Sequence, residues 1–215
     1  MHPRADLVLV LASNNAGKAA ELRELIDGSG WRLLTAAEAG VRPPAVIEGG
    51  RSYLENATLK AVSVARESQL PALADDSGIE VDVLGGAPGV VSARYGGPRV
   101  FDDRARWQYL LKQLEGVPRP RRTARFRAVL VLALPSGRNF SREGMVEGRI
   151  AEAARGEGGF GYDPVFEVPD GRTMAELGPE KQLISHRARA MRAMMDVLQT
   201  LARESGARGP EAVGV

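Results

Sequence analysis

Residues 7–28 read LVLVLASNNAGKAAELRELIDG, and the fold class turns on how this stretch is read. Leu7 to Ala12 is an apolar run of strand length. Small polar residues, Ser13-Asn14-Asn15-Ala16-Gly17, then turn the chain. A helix is predicted from about Lys18 to Asp27, with Gly28 as its stop. Outward from here the pattern repeats with variation. Trp31 to Leu34 is a second candidate strand, and the Ser52/Glu55 spacing of a capping box predicts a helix from Tyr53 towards Glu67. Leu70 to Ala74 reads as a short buried strand that delivers Asp75-Asp76-Ser77-Gly78 at its end. Gly85-Gly86-Ala87-Pro88-Gly89 is a loop, and Asp102 or Asp103 caps a helix ending at Gly116. Phe126 to Leu134 and Arg138 to Glu147, joined by Pro135-Ser136-Gly137, predict a β-hairpin. Val165 to Val168 is a last short strand, and Ser185 opens a closing helix to about Glu204. Helices mixed with strands and one hairpin argue for an α/β fold with a mixed sheet.

Composition narrows the chemistry. The 215 residues include no cysteine and two histidines, His2 and His186, so thiolate chemistry and Cys- or His-rich metal sites are excluded. A metal here is a hard cation held by oxygen, magnesium first and manganese as substitute. The formal net charge is +2, and the one basic stretch, Arg119 to Arg127 (RPRRTARFR), reads as a solvated loop leading into a strand rather than a nucleic-acid surface. The apolar runs are too short to span a bilayer, and the N-terminus lacks a signal-peptide pattern. No nucleic-acid or membrane partner is expected, and the expected location is cytoplasmic.

Five segments carry candidate chemistry. Ser13, Asn14, Asn15, Ala16, Gly17 and Lys18 form a strand-to-helix turn whose backbone N–H groups and ammonium suit an anion. It is not a P-loop, since Ala12 and Ala19 stand where that motif needs Gly and Ser or Thr; an ordinary turn would use the same residues. Asp75 and Asp76 repel unless a cation or opposite placement relieves them, and in an extended strand only one points into a given cleft. An Asp-Ser-Gly surface turn is the plainer alternative. Glu48, in a glycine-flanked loop, can bring a second carboxylate, while Asn56 and Lys60 share a helix face. Gly156 to Asp163 (GEGGFGYD) lets backbone approach a ligand, and Phe160 and Tyr162 offer flat faces to a base. Lys181 and Ser185-His186-Arg187 supply partners for phosphate, carbonyl or base edge.

Taken in order, SNNAGK with Glu21, EGGRSYLENATLKA, ADDSGIEVDVLGGAPGVVSARYGG, GFGYDPVF and KQLISHRARA resemble the inosine triphosphate pyrophosphatase family from about Leu7 to Leu198. Gly50 to Tyr53 departs from the usual Thr-Phe of that motif in detail, not in kind. The resemblance implies hydrolysis of ITP, dITP and XTP to monophosphate and pyrophosphate, a magnesium requirement and a homodimer. It implies an elongated mixed central β-sheet flanked by helices, with two lobes around a cleft. One catalytic domain would cover residues 1–205, followed by a disordered tail over 206–215. By motif position, Ser13 to Lys18 would hold the triphosphate. Glu48 and Asp76 would bind the metal, with Asp76 also the proton acceptor and Ser77 touching substrate. Phe160, Gly161, Tyr162, Asp163, Lys181, His186 and Arg187 would hold base and phosphates. A Maf-type pyrophosphatase of other base specificity and a non-catalytic nucleotide- or RNA-binding module stay open at this point.

Overall fold

The structure, a computed structural model, describes residues 7–41 and 52–206. Glu48 and the expected tail beyond residue 206 lie outside the described residues.

Strand β1 (Leu7–Leu11) is apolar throughout and lies between two parallel neighbours, β2 (Trp31–Thr35) and β3 (Ala72–Val81). A continuous apolar run suits a strand covered on both faces. β1 pairs with β2 over its whole length but with β3 only at Val10↔Ala72 and Leu11↔Leu73. The chain then turns away into helix α1 (Ala16–Ile26), while β3 runs on for eight more residues, to Val81. From Ala74 onwards β3 has therefore lost its β1 partner along one edge, and the cleft opens there.

The other edge of β3 pairs antiparallel with β4 (Thr123–Ala133), which pairs with β5 (Asn139–Ile150) as the expected hairpin. A two-residue β6 (Phe166–Glu167) completes a six-stranded sheet of order β2-β1-β3-β4-β5-β6. The acidic segment is not at a strand end. Asp75, Asp76, Ser77 and Gly78 lie mid-strand, opposite Leu130, Val129, Ala128 and Arg127. Ten consecutive ladder partners in β4 override the local turn preference of Asp-Ser-Gly.

Helices cover both faces of the sheet. α2 (Tyr53–Ser68), capped by Ser52 as the capping spacing predicts, lays Ala57, Ala61, Val64 and Ala65 on one face. On the other face, α1 contributes Leu22 and Ile26, and α5 (His186–Gly206) contributes Met191, Met194 and Leu198. α5 crosses β5 at Gly144, where a Cβ would collide with the His186 carbonyl and the Ala190 amide, so only glycine fits. A further core gathers Leu110 of α3 (Asp103–Gln113), its C-cap Leu114, Phe126, Ile150, Tyr162 and Phe166 at the far end of the sheet. Short α4 (Lys181–Ile184) leads into α5, and Ser185 Oγ accepts from the Ala188 amide.

The basic stretch is only partly the solvated loop expected of it. Arg119–Arg121 form a short 3-10 turn, but Arg122 is buried and donates to the carbonyls of Leu114, Val117 and Ala151. Arg125 and Arg127 lie on β4, facing Asp82 and Glu147, and Glu80 and Glu143 respectively. Among the described residues no helix is long and apolar enough to cross a membrane.

Candidate active site

The β1–α1 turn forms one wall of a cavity of about 470 Å³, a size that suits a small-molecule ligand. The helix begins at Ala16, two residues before the expected start, because Asn15 caps it by accepting from the Lys18 amide at 2.9 Å. Ser13 Oγ accepts from the Asn15 amide. No acidic residue occupies the first turn of α1, so its positive end stays unneutralised from within the helix. Ser13, Asn14, Asn15 and Lys18 border the cavity, while Ala16 and Gly17 contribute first-turn backbone. Gly17 has a separate job. A Cβ there would stand 2.6 Å from the Phe160 ring, so its absence lets the two walls approach.

The strand pleat sends the two aspartates to opposite faces of β3, which removes their mutual repulsion. Asp75 faces α1 and α5 with no exposed surface. Lys18 Nζ lies 2.6 Å from its Oδ1, Arg187 Nε donates to its Oδ2 at 2.7 Å, and Ser77 Oγ donates to its Oδ1 at 2.8 Å. Burial alone would raise its pKa, but Arg187 and Lys18 overcome that and hold it well below the usual carboxylate range. Arg187 continues the chain, donating from Nη1 to Glu21 at 2.5 Å and from Nη2 to Ser77 Oγ at 3.1 Å. Glu21 also pairs with Lys181, whose ammonium reaches Asp163 at 2.5 Å. Three cations thus interlock with three carboxyl groups in one buried relay.

Asp76 faces α2. Lys60 Nζ donates to its Oδ1 at 2.6 Å and Asn56 Nδ2 to its Oδ2 at 3.1 Å. Burial raises its pKa, outweighing Lys60, Lys18 and Asn56. Lys60 and Ser77 border the cavity; Asp76 does not, but is bonded to Lys60 and precedes Ser77.

The glycine-rich loop closes the far end. Asp163 Oδ2 accepts from the Phe160 amide at 2.8 Å, and burial raises the Asp163 pKa against the pull of Lys181. The Gly161 amide donates to Asp103 of α3. Phe160 is half-buried, with Lys181 Nζ 5.2 Å and Arg187 Cζ 5.3 Å from its ring centre, within cation–π range. Tyr162 borders the cavity but is mostly buried. Its ring is part of the far core and its hydroxyl donates to the Ser92 carbonyl at 2.8 Å. His186 is buried and stacks on Phe126 at 4.7 Å. Burial, with the positive Arg187 adding to it, lowers its pKa well below the usual value, so its imidazole is neutral at pH 7. Its Nδ1 has no partner among the described residues.

The candidates from Ser13 to Lys18, with Ser77, Phe160 to Asp163, Lys181, His186 and Arg187, thus gather around one cavity. Glu48 falls outside the described residues. Sequence reading placed Arg187 among the groups that meet the substrate; it borders the cavity, and three of its five N–H groups bond Asp75, Glu21 and Ser77. Asp103, Arg106 and Phe126 were not picked out, and Glu21, quoted with the SNNAGK motif, was given no role of its own. Glu21 had a local signal, lying one turn beyond Lys18 on the same helix face. Among the described residues no group of three or more His, Asp or Glu gathers to hold a metal. Asp76 is a hard oxygen donor already opposite an ammonium. That fits magnesium, which takes one or two carboxylates and completes its shell with water and substrate phosphate.

Comparison with known proteins places the chain in a family. The profile of the Ham1 family matches residues 9–197. A dITP/XTP pyrophosphatase of Thermus thermophilus is 54% identical over 190 residues, covering 87% of this chain and 90% of that protein. One from Bacillus subtilis is 44% identical, covering 88% and 96%. Among solved structures, a HAM1 protein from Coxiella burnetii superposes with a TM-score of 0.80 at 41% identity, covering 90% of this chain and 99% of that one.

Proposed function

We propose, from the premise that this chain belongs to the Ham1 family, that it hydrolyses ITP, dITP and XTP to the nucleoside monophosphate and pyrophosphate. The observation that carries the reading is the layout of one cavity. Its anion end is the α1 N-terminus with Lys18 and Lys60, and its aromatic end is Phe160 with Asp163, Lys181 and His186. A polyphosphate with a purine attached offers an anionic part to the first group and a flat ring to the second.

Water attacks the α-phosphorus, the bond to the α–β bridging oxygen breaks, and pyrophosphate leaves. Asp76 takes the proton of the attacking water, a role suited to a carboxyl whose burial raises its proton affinity. Lys18, Lys60 and the first-turn amides of α1 neutralise the roughly four charges of the triphosphate. A divalent cation, magnesium or manganese, held by Asp76 and Glu48 would screen that charge and lower the pKa of the attacking water.

Lys181, tied to Asp163 beside Phe160, belongs to the base end rather than to the leaving group. Arg187 holds Asp75, Glu21 and Ser77 in place and keeps two further N–H groups at the cavity. Neutral His186 and Lys181 face the 6-keto edge. An adenine amino group would leave such buried donors unpaired, at about 1–3 kcal/mol each.

We read residues 1–205 as one catalytic domain working in the cytoplasm as a homodimer. Phe101, 81% exposed, supports an apolar contact with a second copy. Release of IMP and pyrophosphate from ITP, with and without magnesium, tests the reading. Release of phosphate instead, or equal rates on ATP, would overturn it.

A further inference from the structure

Asn56 is 1% exposed on the sheet-facing side of α2, in line with Ala57, Ala61 and Val64, where a small apolar residue would pack without a polar atom to satisfy. Its Nδ2 donates to Asp76 Oδ2, while its own Oδ1 has no partner among the described residues. Turning the amide over would set its oxygen against a carboxylate oxygen, so Asp76 determines its orientation. An asparagine that leaves one buried atom unpaired to give the other to Asp76 is better explained by that bond than by packing. The two donors to Asp76 also differ in access. Lys60, on Oδ1, borders the cavity, whereas Asn56, on Oδ2, does not.

We propose that Asn56 is a positioning residue for the reaction: it ties down Asp76 Oδ2, so that Oδ1, shared with Lys60 at the cavity wall, is the oxygen that works. Lys60 is the partner that meets the cavity, where phosphate would arrive, and Asn56 is the one buried away from it. This inference rests on the reading of Asp76 given above.

The test compares Asn56→Ala and Asn56→Asp with wild type by steady-state kinetics on ITP. Thermal unfolding confirms the fold, and electron paramagnetic resonance measures manganese affinity with a non-hydrolysable α,β-imido analogue of ITP. The expected result for Asn56→Ala is a kcat lower by about 10- to 100-fold, with KM within about threefold and manganese affinity weakened about tenfold. Asn56→Asp, nearly the same size but with an acceptor in place of the donor, loses at least as much. A kcat within about twofold of wild type in Asn56→Ala, unchanged manganese affinity, or an Asp variant more active than the Ala variant would each overturn the proposal; the last would show that only volume matters. If the alanine variant does not fold, Asn56→Ser serves in its place, with the same outcomes. Asp76→Asn is measured alongside. If it turns over normally, the reading of Asp76 has failed; if it is inactive while Asn56→Ala is normal, only the role of Asn56 has failed.

Discussion

On the α1–α5 side of β3, Asp75 is met by Lys18, Arg187 and Ser77, and Arg187 hands on to Glu21, Lys181 and Asp163. On the α2 side, Asp76 is met by one ammonium at the cavity wall and one amide behind it. The first carboxyl is held ionised by its cations; the second is pushed by burial towards holding a proton. Neighbouring residues of the same type thus receive opposite electrostatic treatment, because a strand alternates its faces and the helices on those faces carry different side chains. The comparison teaches that a fixed, fully answered charge network is scaffold, and that a carboxyl with a partner at the cavity wall is the one equipped to react.

The largest expected effect breaks the comparison on its reactive side. Asp76→Asn keeps the shape and loses the base, so kcat on ITP should fall about 10³-fold or more while the unfolding temperature stays within a few degrees of wild type. Turnover within tenfold of wild type would move the chemistry elsewhere. On the scaffold side the signature should invert. Glu21→Ala leaves Lys181 and Arg187 without a shared counter-charge in a buried setting, at about 3 kcal/mol of stability. Urea unfolding measures it, and a loss below about 1 kcal/mol would show that the relay is not holding the two walls together.

How much of this could be read from the chain alone depends on how local the cause is. The α2 cap, the hairpin and the strands other than β3 follow from apolar runs and turn residues that act within a few positions, and they stand within a few residues of where expected. The mid-strand place of Asp75 to Gly78 was missed, since it comes from β4, about fifty residues away, which imposes extension on a turn-like sequence. Arg122 was misread, and the packing of Tyr162 was missed, for a related reason. Both are amphipathic side chains, and only the packed neighbours decide that the ring of one and the guanidinium of the other point inward. Motif order brought most cavity residues into view together, yet it could not show that Arg187 ties Asp75, Glu21 and Ser77 to one another.

A third prediction sharpens the contrast at the aromatic end. His186→Ala removes a neutral ring from the cavity without touching either aspartate. The ratio of kcat/KM for ITP over ATP should therefore shrink about tenfold, with a smaller change in kcat on ITP itself. An unchanged ratio would take His186 out of base reading.

The smallest effect is on stability in mild acid, and it separates His186 from the carboxyl relay. A histidine whose folded pKa is depressed contributes stability that is fully present above its unfolded value, about 6.5, and is lost as pH falls towards the folded value. Between pH 6.5 and 5.5 the protein should therefore lose about 1 kcal/mol of unfolding free energy to this one group. Asp75 works the other way in pH. With its folded pKa lowered, its contribution is present above about pH 4 and is lost only as the solution becomes more acidic than that, so it adds no slope in this window. His186→Gln, which cannot take up a proton, should flatten the slope from pH 6.5 to 5.5 and leave the loss below pH 4 intact. If the slope survives the substitution, another group is titrating there, since the described residues hold no other histidine.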